Sequence, residues 1–461
     1  MTFPTYPEYK NSGVEWLAEV PEHWTVMALK YLTYMKGRIG FRGYTTDDIV
    51  DEGEGAITLS PSNFTGGKVD FNKSTYITWD KYYESPEIQV SVGDTIIVKT
   101  GSTYGKVAFV ESLPLPTTIN PQLAIFKTKS IDKRFLFFMT ISTYFNSLVK
   151  NSNSGSAMPT ITQESVLSFV MAVPPALEQT QIARFLDHET ARIDTLIEEQ
   201  QRLMEVLKEK RHAVISHAVT KGLDPKLPMK DSGVEWLGEV PAHWNTVQVG
   251  RVCRKVSDGP HFSPNYVDEG VMFLSARNVA VDGWHLEDAK FISEDDYSEF
   301  CRRIVPEKGD VLYTKGGTTG IARVVDLEEK FQVWVHIAVL KLDRELIDPH
   351  YMAFSLNSIG CYEQSQLHTR GATNQDLGLT RMIKIWFALP PREEQIRICE
   401  FLNPALNNID ELITEATKVV GLLGERRSAL ISAAVTGKID VRGWQPPARA
   451  KAPAVEVEEA V

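Results

Sequence analysis

Residues 10–24 read KNSGVEWLAEVPEHW, and residues 230–244 read KDSGVEWLGEVPAHW. A chain that carries such a string twice is built from two copies of one unit. Trp16 recurs as Trp236, 220 positions on; Pro175 recurs as Pro391, 216 positions on, and that offset holds to the end of the unit. Each copy runs through a proline pair, a Glu-Gln pair, a long helical pattern and a closing AVT tripeptide. A repeat this long means duplicated domains and not a solenoid. Few enzymes need two nearly equivalent copies in one chain, whereas a protein reading a two-part target does.

The 461 residues are 43% hydrophobic and 24% charged, the balance of an ordinary soluble globular protein. No apolar run is long enough to span a bilayer, and the N-terminus lacks the basic-then-apolar order of a signal peptide. A cytoplasmic protein is expected, with no membrane partner. Cys253, Cys301, Cys361 and Cys399 show no CxxC spacing and read as free thiols, implying neither zinc nor a disulfide framework. The net charge of −11 argues against strong unaided binding to nucleic acid, since phosphate neutralisation supplies most non-specific affinity. A local basic face suffices for contact, so DNA as a ligand implies other subunits that complete the grip.

Two textures alternate along the chain. Residues 25–173 and 245–389 carry short β-like runs between glycine turns: 56–60, 95–99, 106–110 and 123–127 in the first, 271–274, 311–314, 321–325 and 335–342 in the second. Each also holds an apolar helical stretch, 134–150 and 349–367, so both read as mixed α/β domains. The flanking parts are an N-terminal segment (1–24), a central region (174–244), a C-terminal region (390–440) and a tail (441–461). The tail ends in PPARAKAPAVEVEEAV, a composition expected to be disordered.

The central and C-terminal regions each open on a long helical pattern, ending near Thr220 and Thr436. In the second, Ile398, Leu402, Ala405, Ile409, Leu412, Ala416, Val419, Leu423 and Leu430 recur at coiled-coil spacing, with Pro404 a local interruption. The same register in the first gives Ile182, Leu186, Ile193, Leu196, Leu203 and Leu207, with more polar layers. Pairing the helices with each other is the simplest way to bury both stripes. The interface is predicted at Ile193, Leu196, Leu203, Leu207, Ile409, Leu412, Val419 and Leu423. The competing arrangement lays each helix on its own domain, but a rod of about 40 residues, near 60 Å, outruns such a domain.

Catalytic signatures are missing. Val173 and Leu389 precede the proline pairs where amino-group methyltransferases place Asn or Asp, and no glycine loop fits a nucleotide or S-adenosylmethionine fingerprint. His23 and His243 read as structural hydrogen-bonding residues, and Trp16, Trp24, Trp236 and Trp244 as core anchors. More informative are two matching turns, GDTIIVKTGSTYGKVAFV from Gly93 and GDVLYTKGGTTGIARVV from Gly309. A lysine beside glycine and hydroxyl residues suits a DNA phosphate, and equally a tight hairpin. The candidates there are Lys99, Ser102, Thr103, Tyr104 and Lys106, then Lys315, Thr318 and Thr319. Other polar loops add Arg38, Arg42 and Tyr44 (37–44), Asn63 (60–63), Ser156 (154–158), His261 and Ser263 (258–263), Arg277 and Asn278 (275–278), and Arg370, Thr373 and Asn374 (370–374). These residue types read base edges or grip phosphate.

Taken together, the duplicated SGVEWLxEVPxHW string, DGPHFSP from Asp258, the KGGTTG turn at Lys315, and PPxxEQ with a helix closing in KRHAVISHAVTKGLD or RRSALISAAVTGKID resemble the specificity subunits of type I restriction–modification systems. The resemblance covers all but the tail. It implies a non-catalytic subunit with two target recognition domains separated by an antiparallel coiled coil, in a pseudo-twofold repeat. Each domain would read half of a bipartite, asymmetric site in double-stranded DNA containing an adenine for N6 methylation. The coiled coil would set the spacing and dock two methyltransferase subunits, and restriction/translocase subunits would join for cleavage. No cofactor is expected on this chain; S-adenosylmethionine would belong to the methyltransferases. GRIGFRGYTTDD from Gly37 stands where the second copy has DGPHFSPNY, so contact residues do not transfer between copies there. Two competing classes are a stand-alone methyltransferase, which would bind S-adenosylmethionine itself, and a two-domain regulator without methyltransferase partners.

Overall fold

The computed structural model describes residues 3–38, 43–152, 159–370 and 376–446. The chain forms two compact units, one of residues 1–199 with 419–461 and one of residues 200–418. The long helices run Ala176–Lys221 and Arg392–Val435, the second continuous through Pro404. Each helix therefore contributes one part to each unit.

In both units the repeated string is a hairpin. Tyr9–Asn11 pairs antiparallel with Glu19–Pro21, and Met229–Asp231 with Glu239–Pro241. Its turn needs left-handed backbone, which Gly238 adopts at φ 59° and Ala18 at φ 54° in the first copy. Trp24 and Trp244 are fully buried. Trp16 and Trp236 are not the core anchors predicted: they are 66% and 39% exposed, because the turn carries them outward.

Each α/β domain leaves and returns at one place. Thr25–Ala28 pairs with Val170–Val173, and Asn245–Gln248 with Trp386–Leu389, so a short antiparallel clasp closes each domain at the foot of its helix. Beyond the clasp lie two sheets. In the first unit a sheet in the order Thr33–Gly37, Leu123–Thr128, Thr95–Val98, Val107–Phe109 continues into the hairpin Lys68–Val69 and Phe64–Thr65. In the second the order is Cys253–Asp258, Ile337–Leu342, Val311–Thr314, Ala322–Val324, with no added hairpin among the described residues. The second sheet is four-stranded in both: Ile49–Val50, Thr75–Ile77, Ala56–Leu59, Thr117–Ile119, matched by Tyr266–Val267, Lys290–Ile292, Val271–Leu274, Phe331–Val333. The predicted strands fall on these elements. Each predicted helical stretch is two helices, Lys133–Ile141 with Thr143–Asn151 and Pro349–Leu356 with Ile359–His368. Ser142 breaks the first pair because its hydroxyl caps the following helix, accepting from Phe145 N–H.

The Glu-Gln pair ties domain, string and helix together. Glu178 is buried and accepts from Tyr6 Oη (2.5 Å) and Trp24 Nε1 (3.1 Å), with His23 Nε2 at 2.8 Å. Glu394 repeats this with Trp244 Nε1 (3.0 Å) and His243 Nε2 (2.9 Å). Burial, then the Glu178 carboxylate, push the Tyr6 hydroxyl pKa up. Gln179 and Gln395 accept from the N–H of Asp132 and Asp348 and donate to the carbonyls of Pro174 and Pro390. Asp132 and Asp348 in turn cap the helices that follow them. In this way the buried Glu178, Gln179 and Gln395 at the helix feet are given hydrogen-bond partners, as burial requires.

Within each unit the long helices pack antiparallel. In the second unit Met204 Sδ meets Thr417 Oγ1 at 3.3 Å and Arg211 Nε meets Asp410 at 3.0 Å, seven residues up one helix and seven down the other. In the first unit Asp194 receives Arg427 Nε at 2.7 Å, while Gln181 donates to the carbonyls of Val441 and Trp444. Ile193, Leu207 and Ile409 are buried and Leu423 is half-buried. Leu196, Leu203, Leu412 and Val419 correct the prediction: they are 39%, 44%, 54% and 36% exposed. Their neighbours Ile197, Met204, Ile413 and Val420 are the less exposed members of each adjacent pair. A seam accepts steps of four then three or three then four, and the helices take the other order.

The beginning of the predicted disordered tail is ordered. Val441 is buried, and Trp444 stacks edge-on to Phe185 with centroids 5.3 Å apart. Asp440 N–H donates to Pro4 O at 2.7 Å. The end of the tail, from residue 447, lies outside the described residues. All four cysteines are free, and no described helix is long and apolar enough to cross a membrane.

Candidate nucleic-acid interface

The two matching turns sit at equivalent places. In the first unit Ile97 pairs with Ala124, which pairs on its other side with Gly37; in the second Tyr313 pairs with Ala338, which pairs with Asp258. Lys99 and Lys315 lie two residues beyond Ile97 and Tyr313. Each lysine carbonyl accepts from a returning segment, from Ile161 N–H (2.9 Å) and Leu377 N–H (2.7 Å). Thr100 and Thr160 form an isolated bridge, as do Gly316 and Asp376. The backbone is thus duplicated around each lysine, while the side chains facing it are not.

Lys315 is buried. Its Nζ lies 3.3 Å from Asp258 Oδ2 and 3.1 Å from Asp376 Oδ1. Asp258 also receives the Arg303 guanidinium and has His261 Nε2 at 3.4 Å. Burial pushes the Asp258 carboxyl pKa up, but Arg303, Lys315 and His261 outweigh it and hold the group below its ordinary value. This ion cluster fastens residues 258–261 to the glycine turn and the returning segment. The phosphate role predicted for Lys315 is therefore corrected: its charge is consumed inside the domain.

Four other predicted contacts are also internal. Arg38 is buried and donates to Ile119 O (3.1 Å) and Thr118 Oγ1 (3.2 Å), with Tyr44 stacked at 5.6 Å, and burial lowers its pKa. Asn63 and Asn278 are buried, because each closes a capping box with Ser60 or Ser275 and bridges the next loop through Asp70 O or His285 O. Thr319 is buried behind the second turn.

Ser102, Thr103, Lys106, His261, Ser263, Arg277, Thr318 and Arg370 are exposed, and Tyr44, Lys99 and Tyr104 are half-buried. Lys106 Nζ donates to Phe64 O at 2.5 Å. Arg42, Ser156, Thr373 and Asn374 lie outside the described residues. Arg303 and Asp376, which help organise the second unit's loops, were missed by the sequence reading, and Asp258 entered it only as the head of the 258–263 loop and not as a site residue. Acidic residues do not suggest DNA contact, and only the pairing of distant strands brings them to Lys315.

Comparison with known proteins agrees with this architecture. The family model described as type I restriction modification DNA specificity domain matches residues 47–206 and 241–420. A putative type I restriction enzyme MjaX specificity subunit of Methanocaldococcus jannaschii is 24% identical over 442 residues, covering 92% of this chain and 96% of the relative. The type I restriction enzyme EcoKI specificity subunit of Escherichia coli K12 is 21% identical over 445 residues, covering 93% and 91%. A chain solved in work on complex assembly and conformational transition of the type I R-M system shares the fold, with a TM-score of 0.64 at 17% identity over 90% of this chain and 98% of that one. With its two matched domains occupying most of the sequence, the chain belongs to the family of type I restriction–modification DNA specificity proteins.

Proposed function

We propose that this chain is the DNA-recognition subunit of a cytoplasmic type I restriction–modification assembly and performs no reaction itself. Each α/β domain reads one half of a bipartite, asymmetric site in double-stranded DNA. The paired helices set the spacing and dock two methyltransferase subunits. Those subunits bring S-adenosylmethionine and methylate adenine at N6, and restriction/translocase subunits join for cleavage. One observation carries the reading: the anchors are duplicated nearly bond for bond, Glu178 with Trp24 and Glu394 with Trp244, whereas the groups around Lys99 and Lys315 differ. A constant frame with unlike ends fits one partner type docking twice and two different half-sites being read. Fixed spacing between two readers is also how two-part DNA sites are matched. Affinity purification of the tagged chain from its own host should retain a methyltransferase. Recovery of the chain alone, binding S-adenosylmethionine stoichiometrically by itself, would reject the assignment.

A further inference from the structure

Lys99 and Lys315 occupy the same position in the duplicated backbone, but only one of them is neutralised. Where the second unit places Asp258, the first has Gly37, and where it places Asp376, the first has Thr160. An added Cβ at Gly37 would lie 2.8 Å from Lys99 Nζ, so the ammonium sits where a carboxylate at this position would emerge. The Lys99 ammonium has no hydrogen-bond or ion-pair partner among the described residues, and half-burial lowers its pKa. A desolvated ammonium without a counter-charge is costly unless an anion completes it. Beside it, the exposed Ser102 and Thr103 amides make no hydrogen bond within the described residues.

Building on the DNA-reading function above, we propose that Lys99 is a phosphodiester-binding site present in the first domain alone: a backbone phosphate oxygen takes the place that Asp258 holds beside Lys315. The two domains then grip their half-sites differently. The first draws on the DNA for the counter-charge that the second carries within itself.

The test uses the full chain copurified with its methyltransferase and a random-sequence duplex, with binding followed by fluorescence anisotropy as salt rises. One phosphate contact contributes about 0.9 to the slope of log K against log salt. Lys99→Gln should lose that increment, so that raising salt from about 50 to about 200 mM weakens the wild type about 3-fold more than the variant. Lys99→Arg should keep the wild-type slope. Gly37→Asp should lose the increment with Lys99 still present, because an internal carboxylate then competes with the phosphate. The first atoms its Cβ would meet are the movable ends of Lys99 and Gln163. An unchanged slope in Lys99→Gln overturns the proposal, whether Lys99 meets a base edge or no DNA. A wild-type assembly of chain and methyltransferase that binds no DNA duplex overturns the DNA-reading function itself.

Discussion

Replacing Lys315 by methionine removes one charge while nearly preserving the length of the side chain. In the wild type Nζ lies 3.3 Å from Asp258, whose side chain is 3% exposed, and 3.1 Å from Asp376, whose side chain is 46% exposed. The Asp376 pair is solvent-screened and is worth about 0–1 kcal/mol. The Asp258 pair is buried, and stranding a buried charge costs about 3–5 kcal/mol when nothing else holds it. Arg303 and His261 remain on Asp258, so the expected loss is about 2 kcal/mol, the size of a charged hydrogen bond. For a unit of this size that lowers the melting temperature by about 4–8 °C. Thermal denaturation followed by circular dichroism measures it, with Asp258→Asn and the double variant completing a cycle in which the two losses are less than additive. Lys99→Met should leave stability unchanged or raise it, since Lys99 has no carboxylate to lose. Equal destabilisation by the two methionines, or a Lys315→Met protein melting with the wild type, would refute the ion-cluster argument.

Glu178→Ala strands the buried Trp24 N–H and Tyr6 hydroxyl and should cost about 2–4 kcal/mol, more than Glu394→Ala, which strands one bond fewer; denaturant melts of the two variants rank them. Leu207→Ala should cost about 2–5 kcal/mol, while Leu203→Ala, at an exposed position, should stay within about 0.5 kcal/mol. Similar losses in urea unfolding would restore the seam phase predicted from sequence. Because the Asp258 carboxyl is held below its ordinary value, its contribution is full above the unfolded carboxylate range near pH ~4 and is lost as pH falls through the lower folded value. Melting temperatures measured from about pH 5 down to about pH 3 should therefore fall more steeply for wild type than for Asp258→Asn, and parallel curves would count against it.

Much of the architecture was legible because duplication supplies an internal control. The repeated string, the proline pairs and the shared offset delimit the domains and helices. Strand positions followed from glycine turns. The seam phase was not legible, because Leu196 with Ile197, Leu203 with Met204, Leu412 with Ile413 and Val419 with Val420 are adjacent apolar pairs. Either member continues the heptad, and only packing decides between them. The site was half legible. Lys99 and Lys315 look alike in sequence, and what separates them is Gly37 opposite Asp258, a comparison visible only once strand register aligns the two units. Asn63 and Asn278 misled for a similar reason: an asparagine that closes a capping box has the same local sequence as one that reads a base.

The central claim is that the two α/β domains read separate halves of one DNA site. Sequencing of modified adenines should be carried out in cells expressing this chain with its methyltransferase, before and after residues 245–389 are replaced by the matching segment of a relative. The account predicts a two-part methylated site with an unspecified gap, of which the replacement changes one half and leaves the other half and the gap unchanged. A single uninterrupted site, or a replacement that alters both halves together, would contradict it.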